Sequence, residues 1–111
     1  MKKARFYLRC VKRKKEYAIG ADGWIVECAG REVGVSENPT GAWTATDVKT
    51  GLAFPVDVYC EKRKDVLKWL KDNEPELKKS FDRVGDKIKV HEEHFKDLLE
   101  RRRFHEVGTK V

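Results

Sequence analysis

Four neighbouring residues near the C-terminus carry side chains used in metal binding and proton transfer. His91-Glu92-Glu93-His94 places two imidazoles three residues apart with two carboxylates between them. A zinc protease helix needs the spacing H-E-x-x-H, which sets two metal ligands one turn apart around a general base. The spacing here differs, and no thiol or further carboxylate stands at a recognisable distance to complete a site. The pattern predicts structural or solvent-exposed histidines, with no metal and no cofactor.

The candidates for covalent catalysis also lack their usual surroundings. Ser36 and Ser80 have no G-x-S-x-G elbow, and Cys10, Cys28 and Cys60 fall in predicted strands or at a strand end. The chain contains no P-loop and no G-x-G-x-x-G motif. No acid, base and nucleophile converge, so the sequence predicts a protein that is not an enzyme. An odd number of well-separated cysteines predicts free thiols.

The basic residues at the start of the chain are the best candidates for a binding site. Residues 1–15 hold eight basic side chains and no acidic one, whereas residues 16–111 hold 17 basic and 19 acidic side chains, a net charge of −2. Alternation along a strand at residues 4–11 puts Arg5, Tyr7 and Arg9 on one face. Cations interleaved with an aromatic ring are typical of surfaces that bind phosphates and bases.

A cationic turn and a second basic cluster are predicted to extend this surface. The turn consists of Lys12, Arg13, Lys14 and Lys15, and the second cluster consists of Arg101, Arg102 and Arg103. Lysines also protect an edge strand from aggregation, so a structural role for the basic first strand is the alternative.

Trp43 is predicted to be a surface anchor for a protein partner. It follows a loop, Asn38-Pro39-Thr40-Gly41, that offers little to bury it, and exposed tryptophans often anchor interfaces. Core packing is the alternative, as it is for Trp24 and Trp69.

The predicted elements that position these residues change from strands to helices near residue 61. Period-two patterns and turn signals, including Gly20-Ala21-Asp22-Gly23 and Lys49-Thr50-Gly51, predict strands at residues 4–11, 16–19, 24–29, 31–36, 42–48 and 52–59. Helical periodicity then predicts a short helix after residue 61, a second from an Asn73 N-cap to Gly85, and a third over residues 91–104, with residues 87–90 extended. The prediction is one α+β domain over residues 1–111, in which an antiparallel sheet of four to six strands packs with two or three C-terminal helices.

Composition fits a small domain with a heavily charged surface. Hydrophobic and charged residues each make up 40% of the chain. No stretch approaches the roughly 20 apolar residues of a membrane span, and no signal peptide pattern is present. A cytoplasmic location is therefore expected.

One segment resembles small uncharacterised proteins of phages and mobile elements. It runs from Trp43 through Thr50-Gly51-Leu52 and continues in the basic helix begun by Lys62-Arg63-Lys64-Asp65, about a third of the chain. The resemblance implies a small accessory protein that acts on a host system by binding, and it carries over no catalytic residue.

The leading hypothesis is therefore a binding module, an accessory or inhibitor protein that docks on a nucleic-acid-handling protein machine. The alternative is a direct nucleic-acid-binding protein that uses the basic first strand, the cationic turn and the C-terminal arginines. Neither hypothesis requires a membrane, and the sequence leaves the oligomeric state open.

Overall fold

The computed structural model describes the backbone of residues 1–109 and the side chains of residues 1–101. Within that part, four antiparallel strands lie side by side in chain order: β1 (Lys2–Lys12), β2 (Lys15–Cys28), β3 (Arg31–Glu37) and β4 (Trp43–Asp47). Two long helices follow, α1 (Arg63–Arg83) and α2 (Gly85–Thr109). The predicted α+β class is confirmed, with the lowest number of strands and helices that the sequence allowed. Neither helix combines the length and the apolar character needed to cross a membrane over the described residues.

The second strand is longer than predicted because its glycines serve packing and not a turn. β1 pairs with residues 15–25 of β2 without interruption, so the turn predicted at residues 20–23 is wrong. A side chain at Gly23 would collide with the carbonyl oxygen of Val35 and approach the ring of Phe6. Glycine is therefore required where β2 passes close to β3.

A two-stranded ribbon extends beyond the rest of the sheet. β3 pairs only with residues 24–28 of β2, whereas β1 pairs with β2 as far as the turn at Arg13 and Lys14. Residues 4–23, called the ribbon below, therefore pair only with each other within the sheet. A lone two-stranded hairpin is marginally stable in water, so the ribbon needs support from another element.

The last predicted strand and two predicted breaks in the helices are wrong. The chain after β4 forms only an isolated bridge between Thr46 and Ala53, and no strand spans residues 52–59. α1 continues past Asn73 and includes Pro75, because one continuous stripe of apolar residues along it is buried against the sheet. α2 begins at Gly85, so residues 87–90 are helical.

Two apolar clusters hold the helices on one side of the sheet. The larger lies between β3, β4 and α1 and includes Val33, Val35 and Val66, all essentially inaccessible to solvent. The smaller joins the ribbon to α2 through Ala18, Phe95 and Leu98. Burial of a side chain the size of Phe95 or Leu98 stabilises the fold by roughly 1.5–3 kcal/mol. α2 is therefore the element that supports the ribbon.

Candidate partner-binding surface

The turn of the ribbon presents four cations to solvent. Lys12 pairs with Lys15 across the strands, and Arg13 and Lys14 form the two-residue loop between them. All four side chains are exposed, and none makes an ion pair or side-chain hydrogen bond with the part of the chain whose side chains are described. These four residues, called the basic tip, are the predicted site residues that the structure leaves most accessible.

The backbone of the basic tip is strained. Arg13 and Lys14 have φ angles of 52° and 65°, the positive values that a type I′ turn requires and that Asn-Gly adopts most easily. The left-handed conformation costs an L-residue about 1–2 kcal/mol. Residues held in such conformations cluster at functional sites. The combination of backbone strain with four neighbouring like charges lowers stability, which favours a binding role for these side chains over a merely structural one.

The predicted face of Arg5, Tyr7 and Arg9 is largely used within the fold. Tyr7 packs against the Ala18, Phe95 and Leu98 cluster. One terminal nitrogen of Arg9 donates to Nδ1 of His91 at 3.2 Å and the other to the His91 carbonyl oxygen at 3.1 Å. The same guanidinium lies 5.6 Å from the centre of the Phe95 ring.

Arg5 alone on this face remains substantially open to solvent. Its side chain is 54% exposed and pairs with the carboxylate of Asp22 at 3.2 Å. A hydrogen bond with the Tyr7 side chain and the charge of Asp22 both raise the pKa of Arg5. The predicted arrangement of an open ring between two cations is therefore not available for base stacking.

The opposite face of the ribbon exposes apolar side chains next to the basic tip. Because side chains alternate, Leu8 and its partner Ile19 point away from α2, as do Cys10 and its partner Tyr17. Ile19 is 43% exposed and Tyr17 is 37% exposed. These four residues are called the outer ribbon face. Apolar groups beside a charged rim are the arrangement found in protein interfaces.

Trp43 lies at the edge of the core rather than standing free on a loop. It is half-buried, packs against the larger cluster and borders an open cleft of about 480 Å³. The cleft is also lined by Met1, Lys62, Arg63, Lys64 and Leu67. The guanidinium of Arg63 lies 4.5 Å from the centre of the Trp24 ring. The structure therefore brings a basic segment of α1 next to Trp43 and the first residue of the chain.

The C-terminal cluster contributes one described arginine. Arg101 is exposed and donates to the carboxylate of Asp97, one turn earlier in α2, at 2.8 Å. The side chains of Arg102 and Arg103 lie outside the described residues.

The two histidines hold α2 against the ribbon. Nε2 of His94 lies 2.6 Å from a carboxylate oxygen of Glu16, and this hydrogen bond lowers the pKa of Glu16. His91 receives the Arg9 guanidinium described above. No group of three metal-binding side chains occurs among the residues that the structure describes.

A partly buried ion-pair network was missed by the sequence analysis. Arg31 donates to both carboxylate oxygens of Asp47 at 2.8 and 2.9 Å and to Glu92 at 2.9 Å. Thr50 donates its hydroxyl to the same Asp47 carboxylate at 2.6 Å. The hydrogen bond with Asp47 is the main reason that the pKa of Arg31 is raised. The network ties β3, β4 and α2 together, so its role is to position elements.

Comparison with known proteins adds no relative to this description. No family model matches the chain, and no curated protein or solved structure shows significant similarity to it.

Proposed function

We propose that the protein is a non-enzymatic binding module that docks on an acidic surface of a partner protein through the basic tip and the outer ribbon face. The observation that carries the proposal is the adjacency of exposed apolar side chains to four exposed cations on a strained turn, none of which has an acidic partner among the described side chains. In the proposed setting, the partner belongs to a nucleic-acid-handling complex and the chain acts as an accessory or inhibitor protein. That setting follows the resemblance to small phage and mobile-element proteins that the pattern of residues 43–52 and 62–65 suggests, and it is part of the proposal.

A protein partner accounts for more of the surface than nucleic acid does. Burying Tyr17 and Ile19 stabilises a complex only if the partner offers apolar groups, which a phosphate backbone does not. Tyr7, the ring predicted to lie open between Arg5 and Arg9, is packed against α2. Residues 16–111 carry a net charge of −2, which opposes a duplex laid across the body of the protein.

Direct nucleic-acid binding is the second candidate, and the shape of the ribbon favours it. Two-stranded β-ribbons fit the major groove of DNA. A tip with four cations is suited to phosphate contacts, and each contact would make binding more sensitive to salt.

The two candidates are separated by affinity capture from a cell lysate with and without nuclease. The test variant reverses the basic tip with Lys12→Glu, Arg13→Glu, Lys14→Glu and Lys15→Glu. The control makes the same charge change at exposed helix lysines with Lys68→Glu, Lys71→Glu, Lys78→Glu and Lys89→Glu. We expect wild type and control to retain one protein after nuclease treatment and the tip variant to lose it. Loss of every partner on nuclease treatment would favour the second candidate, and capture that is indifferent to tip reversal would refute both.

Kinetics with the captured partner give a sharper test. Charged rims steer association, whereas buried apolar anchors slow dissociation. Tip reversal is expected to lower the association rate, and Ile19→Ala is expected to raise the dissociation rate. Trp43→Ala tests whether the cleft at α1 also contacts the partner. An affinity that falls linearly with the logarithm of salt and is unchanged in Ile19→Ala would point to phosphate contacts instead.

A further inference from the structure

β1 lies at an edge of the sheet. Two independent observations show which of its backbone groups point away from β2. In the part of the chain that the structure describes, β1 has one neighbouring strand, β2. In an antiparallel pair, residues alternate between those that exchange hydrogen bonds with the partner and those whose N–H and C=O groups point away from it. In a hairpin closed by a two-residue loop, the residues flanking the loop exchange hydrogen bonds. Lys12 therefore bonds to β2, and so do the other even-numbered residues of β1.

A hydrogen bond beyond the sheet confirms this alternation. The backbone N–H of Arg9 donates to the carbonyl oxygen of Gly51 at 2.9 Å, on the side away from β2. Odd-numbered residues of β1 therefore point their backbone groups to the open edge. Within the described part of the chain, no backbone hydrogen bond is made on that edge by Lys3 or Arg5. Each presents one donor and one acceptor to an incoming strand.

The surroundings of this open edge are strongly basic. Lys2, Lys3 and Arg5 lie along it, and among the described residues only Arg5 has an acidic partner. Met1 borders the cleft that contains Lys62, Arg63 and Lys64, so the basic start of α1 lies next to the start of β1. A second copy of this chain would bring the same cations face to face, and charge complementarity therefore selects an acidic occupant.

We propose that residues 2–6 of β1 receive an extended acidic segment of the partner protein as an additional strand, an inference that rests on the proposed function. Backbone hydrogen bonds to Lys3 and Arg5 supply the pairing, as in other cases of strand addition. Residues of the incoming strand that lie opposite Lys3 and Arg5 share their face and carry carboxylates. The residue opposite Ala4 lies on the other face and is apolar.

The test uses a synthetic peptide, acetyl-Glu-Val-Glu-Val-Glu-Val-amide, and amide hydrogen exchange of the full chain measured by NMR. At saturating peptide we expect exchange of the Lys3 and Arg5 amides to slow by roughly tenfold or more, in proportion to occupancy. The Ala4 and Phe6 amides, which already bond to β2, should change little. A block peptide of the same composition, acetyl-Glu-Glu-Glu-Val-Val-Val-amide, is the control for charge alone and should give at most weak protection.

Two variants keep the test decisive. Lys3→Glu with Arg5→Glu retains every backbone group but reverses the local charge, and it should abolish protection while thermal unfolding shows that the fold persists. Arg5→Pro removes an outward N–H without removing a bond to β2, and it should weaken peptide binding. No protection of Lys3 and Arg5 by the alternating peptide, or equal protection by the block peptide, would overturn strand addition. Peptide contacts confined to the basic tip would also overturn strand addition, but they would leave the proposed function intact. The proposed function itself would fail if reversal of the basic tip left capture of the partner from the lysate unchanged.

Discussion

Replacing the strained loop of the basic tip should stabilise the protein while weakening its binding. The double substitution Arg13→Asn with Lys14→Gly installs the pair that adopts a type I′ turn most readily. The present φ angles of 52° and 65° cost about 1–2 kcal/mol per L-residue. Glycine removes this cost at position 14 and asparagine reduces it at position 13. The added freedom of glycine in the unfolded chain offsets about 0.5–1 kcal/mol, which leaves a net gain of about 1–2 kcal/mol.

Thermal unfolding followed by circular dichroism measures this gain. For a domain of this size, Tm should rise by about 4 °C for each kcal/mol, or about 4–8 °C in all. Arg13→Gln with Lys14→Gln removes the same two charges but keeps the backbone strain, and its stability should stay within about 0.5 kcal/mol of wild type. Both variants should associate more slowly with the partner. An Asn-Gly variant no more stable than the Gln-Gln variant would show that the turn is not strained.

Four further outcomes are expected. A thiol reagent should label Cys10 first in the native protein and label three thiols after unfolding without reductant, because the other two cysteines are buried and burial raises the pKa of each thiol. Arg31→Gln should cost about 3 kcal/mol in denaturant unfolding, since it leaves the Asp47 carboxylate without its main partner. Glu16→Gln should flatten the acid dependence of Tm. The folded-state pKa of Glu16 lies below 4.5 because of His94, so the stability that Glu16 contributes is present above pH 4.5 and is lost as the pH falls through the lowered value. A chelator should leave Tm unchanged.

Two of these outcomes have a matched control variant, and the other two have a result that would contradict them. Arg83→Gln removes an exposed arginine from α1 and should cost far less than Arg31→Gln. Glu93→Gln removes an exposed carboxylate from α2 and should leave the acid profile unchanged. A count of one thiol would indicate a disulfide, and a drop in Tm on chelation that zinc reverses would show that the histidines bind metal.

Local sequence patterns predicted the elements that are determined by residues close together in the sequence. The alternation of residues 4–11 gave β1 and the division of its side chains into two faces, since side-chain direction in a strand alternates with position. It did not show that Tyr7 and Arg9 face α2, because that depends on an element distant in sequence. The same reasoning placed a turn at Gly20 and Gly23, because glycine is frequent in turns. In the structure, Gly20 makes room for the guanidinium of Arg5, and Gly23 makes room for the backbone of β3. Asn73 likewise suggested a helix start, but burial along α1 outweighed the cost of Pro75 inside the helix.

The accessible part of the candidate site was predictable and its supporting part was not. The basic tip follows from four consecutive cations beside a strand. The engagement of Arg9 depends on His91, 82 residues away in sequence, and the Arg31 network joins Glu92 across 61 residues. Single-sequence patterns contain no information on contacts at such separations. The same limit applies to Trp43, whose cleft depends on the path of α1.

The contacts of α2 show why two arginines serve the fold rather than the binding surface. Arg9 and Arg31 each lie near an aromatic ring and hydrogen bond to α2, at His91 and Glu92. These contacts fix the ribbon and the sheet to the same helix. A ribbon held in this way loses little conformational freedom when its tip binds, and a preformed binding element lowers the entropic cost of association. The turn of the basic tip also lowers this entropic cost. Its backbone conformation is already defined before a partner binds, so the four cations need little further ordering.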